Sequence, residues 1–134
     1  KALDLYRSYL GCELVAEYPR LSGRYQDSLV GIEQVEMNVA VVSTKDGRRI
    51  ELLEYRSHPC RRKVPVMANE IGVSHLALAV DDLQELYEKR TEYEVKFVSP
   101  PLRSPDGLVK VAYAVLLDEH IVELVEVLNP EHGP

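Results

Sequence analysis

The stretch Ile50-Glu51-Leu52-Leu53-Glu54-Tyr55, IELLEY, returns 72 residues later as Val122-Glu123-Leu124-Val125-Glu126-Val127, VELVEV. Each copy is a short run of aliphatic and β-branched residues, the composition of a strand. Successive side chains in a strand point to opposite faces. Glu51 therefore lies with Leu53 and Tyr55, Glu54 lies with Ile50 and Leu52, and Glu123 lies with Ile121, Val125 and Val127. A carboxylate on an apolar face must be neutral, paired or bound to a cation, because an unpaired buried charge is too costly. A single such Glu is most simply a solvated edge residue; two at equivalent places invite a shared partner.

The repetition extends outward from these strands. At the same offset Ala40 falls on Ala112 and Asp46 on Asp118, while upstream Leu5-Tyr6 matches Leu86-Tyr87 at a different offset, as loops of unequal length require. Leu3, Tyr6 and Leu10, with Ala2, Leu5 and Tyr9 beside them, recur at helical spacing, and Gly11 closes the helix. Cys12 to Tyr18 reads as a strand that Pro19 should end, because proline cannot donate to the ladder. Residues 20–32 read as a loop or short irregular segment, and Val35 to Ser43 as a strand joined by an Asp46-Gly47 hairpin to a partner over Arg49 to Tyr55.

Residues 57–69, with two prolines and the basic trio Arg61, Arg62 and Lys63, read as a connecting arm. Beyond it Val73 to Val80 alternates as a strand. Asp82 is placed to cap a helix, with Glu85 completing a capping box and Leu83, Leu86, Tyr87 and Arg90 forming the inner stripe. Strands follow at Val95–Val98, Lys110–Leu117 and Ile121–Leu128. The expected organisation is an α+β fold of two modules over residues 1–56 and 71–134, joined by an arm over 57–70.

The bulk properties bound the function. With 134 residues, 46% hydrophobic and 28% charged, the chain has the composition of a globular domain. A net charge of -6 argues against a nucleic-acid partner, which would call for a basic patch. The sequence has no apolar run of spanning length and no signal segment, so neither a membrane nor export is expected and the location is read as cytoplasmic. Cys12 and Cys60 make no disulfide framework and read as two unpaired thiols.

His75 supplies the third element of a candidate site. Its strand puts Val73, Ala77 and Ala79 on one face and Leu76, Leu78 and Val80 on the other. The large aliphatics suit the underside of the following helix, and the small alanines leave space around the imidazole. Imidazole and carboxylates together form a mixed nitrogen and oxygen donor set suited to zinc, nickel, cobalt, iron or manganese, without choosing among them. His58, His120 and His132 lie in or beside loops and turns and read as surface residues.

Two βαβββ modules, the pattern HLALAVDDL opening the second, and closing strands reading IELLE and VELVE resemble the vicinal oxygen chelate superfamily. That superfamily includes glyoxalase I, methylmalonyl-CoA epimerase, extradiol dioxygenases and bleomycin-binding proteins. The resemblance implies two modules whose sheets form an open funnel around one divalent metal, with Glu51, His75 and Glu123 as ligands and Glu54 and Glu126 facing outward. It also implies a fourth ligand on a strand roughly six to ten residues before Lys1, so the sequence is expected to be a fragment of a longer protein. The family pattern DPDG before the closing strand is replaced here by Leu116-Leu117-Asp118-Glu119. Losing the glycine should cost about 1 kcal/mol or force a different turn.

By the same resemblance the protein is a metal-dependent, glyoxalase I-like lyase or isomerase. It would stabilise an enediolate or enolate of a small oxygen-chelating substrate, with Glu123, or in second place Glu51, as the catalytic base. A carboxylate at Glu51 fits glyoxalase I better than the epimerase, which usually has an amide there, or the dioxygenases, which use two histidines and one carboxylate. The alternatives are those two enzymes and a non-enzymatic, bleomycin-resistance-like binding protein. A small-molecule substrate and a homodimer are implied.

Overall fold

The computed structural model describes residues 1–59 and 67–129. The chain divides into two compact units, Lys1–Arg62 and Lys63–Pro134.

The first unit opens with a helix, α1, made of a turn over Ala2–Asp4 that runs into a wider π-type stretch over Leu5–Tyr9. The widening shows in the hydrogen bonds. Leu5 N–H donates to Lys1 C=O, four residues back, but Leu10 N–H reaches Leu5 C=O and Cys12 N–H reaches Tyr6 C=O. Leu5, Tyr6 and Tyr9 form the buried stripe, and Gly11 ends the helix at a φ of 69°, as its spacing predicts.

Strand β1 spans Glu13–Ser22, helix α2 Arg24–Val30, β2 Glu36–Ser43 and β3 Arg49–Tyr55. The three strands form an antiparallel sheet in the order β1-β2-β3. Two expectations are corrected here. Pro19 does not end β1: the register with β2 breaks between Tyr18 and Leu21, with Arg20 at a φ of 56° and its N–H donating to Asn38 Oδ1, and pairing resumes at Leu21↔Met37. The proline and its neighbour are absorbed as a bulge, because a ladder can skip residues whose polar groups find other partners. Residues 20–32 likewise contain a helix, bracketed by Gly23 and by Gly31, whose left-handed φ of 70° closes it. Asp27 fixes the exit of that helix, its carboxylate accepting from Gln34 N–H and Val35 N–H at 3.0 and 2.9 Å.

The second unit contains β4 (His75–Ala79), α3 (Leu83–Lys89), β5 (Lys96–Phe97), β6 (Leu102–Arg103), β7 (Val109–Val115) and β8 (Ile121–Val127). Its sheet runs β4-β8-β7-β5, with β6 also on β7. β4 and β8 are parallel, and the other pairs are antiparallel. The crossover from β4 is α3, the connection a parallel pair needs. Asp82 caps α3 as expected, accepting from Glu85 N–H at 2.9 Å. The two-residue β6 lies between the strands expected at Val95–Val98 and Lys110–Leu117 and is too short for alternation to register. Both sheets are open, and the architecture is α+β, as expected.

Each closing hairpin keeps the same register. Ser43 pairs with Arg49 and Val41 with Glu51; Val115 pairs with Ile121 and Tyr113 with Glu123. In the first unit the turn uses Gly47 at a φ of 82°. In the second, Asp118 and Glu119 adopt φ of 59° and 62° in its place. The turn geometry was retained and the strain accepted, since a left-handed side-chain-bearing residue costs roughly 1–2 kcal/mol. Glu119→Gly is therefore expected to raise stability by about 0.5–1 kcal/mol, the relief of strain less the added chain entropy of glycine; the midpoint of urea unfolding measures it, and a lower midpoint would refute the strain.

The burial of β7 and β8 defines two different faces. Ala112, Ala114, Val122 and Leu124 are buried on the face that α3 covers through Leu83, which is itself fully buried. Tyr113, Val115, Glu123 and Val125 stand on the opposite face, only half-buried. The helix seals one side of the sheet and leaves the other for chemistry.

Candidate functional site

The open face of the second sheet brings His75 and Glu123 together. Ala77, not His75, is the direct neighbour of Glu123 on the parallel strand. Its methyl group leaves room for the imidazole, two residues away on the same face, to lean across. His75 Nε2 lies 3.3 Å from Glu123 Oε2, with the two side chains 38% and 27% exposed. Tyr113, opposite Glu123 on β7, completes the cluster: its hydroxyl shares a hydrogen bond with His75 Nε2 at 3.2 Å, and the two rings lie 4.9 Å apart at 46°.

Glu51 is an exposed residue of β3 in the first unit, opposite Val41. It shares its face with Leu53 and Tyr55, as alternation requires. Within neither unit do the described residues gather three or more His, Cys, Asp or Glu side chains able to hold a metal ion. The pair His75 and Glu123 nevertheless fits the chemistry of a divalent ion. It joins an imidazole nitrogen to a carboxylate oxygen, and bonds of about 2.0–2.2 Å from each donor to one ion are compatible with atoms 3.3 Å apart.

The second carboxylate of each repeat lies on the other face. Glu54 is exposed, accepting from Asn38 Nδ2 at 2.7 Å with Arg56 3.7 Å away. Glu126 has a side chain only 14% exposed; it pairs with Lys110 Nζ at 2.9 Å and accepts from Leu83 N–H at 2.9 Å. It faces away from the site, as expected, but as a structural tie. It satisfies an N–H at the start of α3 that the helix itself leaves free.

Cys12 and His120 are titratable groups shifted by burial. Burial pushes the Cys12 thiol up, so this free cysteine is a core residue poor in thiolate. His120 is half-buried, which corrects its reading as a surface residue, and burial pushes its pKa down. It sits where the strained turn leads into β8, a position loop composition alone does not reveal. Cys60, His132 and the basic trio at 61–63 lie outside the described residues.

The His120 shift has a definite sign. The folded chain holds this imidazole neutral to a lower pH than the unfolded chain, whose histidine titrates at about 6.5. The contribution is complete above that pH and is lost as pH falls toward the folded value. Asp46 and Asp106 are held below the usual carboxylate range by the hydroxyls of Thr44 and Ser104, so their effects lie further down. Urea stability is therefore expected to fall between pH 7.5 and pH 5.5, and His120→Gln to flatten that slope; an unchanged slope in the variant would assign the effect elsewhere.

The second unit, in which β4 crosses through α3 to the antiparallel strands that lead into β8, thus carries an imidazole–carboxylate pair on its uncovered face. The family model described as Glyoxalase/Bleomycin resistance protein/Dioxygenase superfamily matches residues 1–124, and the chain belongs to that superfamily. Among solved structures, a glyoxalase family protein from Bacillus cereus is similar at 19% identity and a TM-score of 0.80, over 91% of this chain and 82% of its own. A glyoxylase/bleomycin resistance protein/dioxygenase domain from Frankia sp. EAN1pec is similar at 15% identity and a TM-score of 0.64, over 93% and 85%. Glyoxalase I from Zea mays is similar at 16% identity and a TM-score of 0.63, over 96% of this chain but 40% of that one. These likenesses establish the fold. No match is found among curated proteins. No helix among the described residues is long and apolar enough to cross a membrane.

Proposed function

We propose that the chain is a metal-dependent lyase or isomerase of the glyoxalase I type, acting on a small substrate that chelates through neighbouring oxygens and passes through an enediolate or enolate. The observation that carries this reading is the apposition of His75 Nε2 and Glu123 Oε2 at 3.3 Å on the half-exposed face of the second sheet. His75 and Glu123 are the proposed ligands, and Glu51 is the repeat counterpart of Glu123 in the first unit. A divalent ion, when bound, supplies Lewis acidity toward negative charge developing on a substrate oxygen. The Glu123 carboxylate takes and returns the substrate proton. Val111, Val115 and Val125 share its face and offer apolar walls to the body of a substrate. The small-molecule substrate and a homodimer belong to the same proposal.

Those apolar walls also favour a second reading, a binding protein that holds an apolar ligand without metal. One measurement separates the two: metal content of the protein purified without chelators, with His75→Ala and Glu123→Gln beside it. Stoichiometric divalent metal that falls in both variants supports the enzyme; metal absent from the parent, or unchanged in the variants, sinks it. Assays of lactoylglutathione formation and of CoA-thioester epimerisation then separate the two isomerase readings.

A further inference from the structure

His75 Nε2 lies between two polar groups, Glu123 Oε2 at 3.3 Å and Tyr113 Oη at 3.2 Å. They respond differently to a cation. A carboxylate and an imidazole lone pair can turn to one positive ion together, since both are donors of electron pairs. In the tautomer that carries its proton on Nδ1, a phenol donating to Nε2 cannot share that nitrogen with the ion, because the lone pair that accepts the O–H is the one the ion would take. Second-sphere groups ordinarily hold a ligating histidine by its other ring nitrogen and so assist the metal. Tyr113 engages the nitrogen that faces Glu123.

We propose that Tyr113 is a positioning residue that holds the imidazole of His75 against Glu123 through its ligating nitrogen, and that its hydroxyl competes with a divalent cation for that nitrogen. The inference rests on the metal reading above and deepens it. The ring supplies the other half of the hold, tilted against the imidazole with centroids 4.9 Å apart. The device belongs to the second unit alone: Val41 stands opposite Glu51 where Tyr113 stands opposite Glu123, so the first copy has no hydroxyl at this place. When the nitrogen is taken, the phenol is released on the open face beside the carboxylate, as a donor to an oxygen there.

Tyr113→Phe removes the hydroxyl and keeps the ring. Co2+ titration of the full chain, freed of metal, is expected to show affinity about two- to tenfold tighter in the variant than in the parent, the range set by one hydrogen bond at a partly exposed site. In the metal-free proteins, 15N spectra of the histidine rings, with His75 assigned by its loss in His75→Gln, are expected to show the Nε2 resonance of His75 moving in Tyr113→Phe. A parent that binds Co2+ with equal or weaker binding in the variant overturns the competition and leaves the metal reading intact. Binding by the variant alone upholds it in its strongest form. Binding by neither removes the metal reading and the competition with it, and the positioning of His75 then stands if the Nε2 resonance moves and falls if it does not.

Discussion

On the proposed function, Glu123→Gln is expected to lower turnover by about 10²–10⁴-fold, the contribution of a positioned proton-transfer group, while the variant is expected to unfold at the same urea concentration as the parent. Glutamine keeps the length of the side chain and an oxygen toward His75 Nε2, so the pair that now sits at 3.3 Å loses its charge and basicity and little of its packing. The control is Glu54→Gln. That residue lies in the other unit and on the other face of the repeated motif, exposed and tied to Asn38 and Arg56, so its substitution leaves turnover within about twofold, as a surface change should. Steady-state kinetics on the substrate identified by the isomerase assays decide the matter. Equal rates in Glu123→Gln and the parent would leave Glu123 only a structural partner of His75.

Leu124→Ala is expected to cost about 2–5 kcal/mol, the range for truncating a buried aliphatic residue. Leu124 is fully buried between two carboxylates of its own strand, on the face that Leu83 of α3 covers. Leu76, on the neighbouring edge strand β4, points to the same face but stays 40% exposed, and Leu76→Ala is expected to cost under about 1 kcal/mol. Guanidinium unfolding of the two variants measures the contrast. Similar losses would mean that the edge strand is as tightly packed as the centre, against its exposure. With typical domain stability of about 5–15 kcal/mol, the first change removes a large share of what holds the sheet that carries the site.

The site was legible in the sequence as far as alternation reaches. Period two placed His75 with the two alanines on one face of its strand and Glu123 with Val125 and Val127 on one face of its own, and the structure keeps both sets because a strand has no other choice; that the two faces coincide was decided by the pairing of β4 with β8. Tyr113 was not found, for a specific reason. Its place opposite Glu123 depends on the register of the β7–β8 hairpin, and a one-residue slip would send it to the helix-covered face. A turn without glycine, Asp118-Glu119, gave no secure point from which to count, although counting from Asp46-Gly47 through the repeat would have carried Val41 onto Tyr113. The bulge at Pro19 and the helix at Arg24–Val30 were missed because proline and glycine were read as stops, whereas here they shape the chain within and beside a continuing sheet.

The motifs IELLEY and VELVEV by themselves determined the repeat, the closing strands and which carboxylate of each pair shares a face with which neighbours, since these follow from spacing along one strand. Only tertiary structure decided what the carboxylates do. Glu123 meets an imidazole and faces a phenol because β4 and β7 flank β8 at particular registers, and Glu126 became a helix tie because α3 begins above it. Spacing is local, but a partner across a sheet is set by hydrogen-bond register and helix placement, which depend on the whole fold.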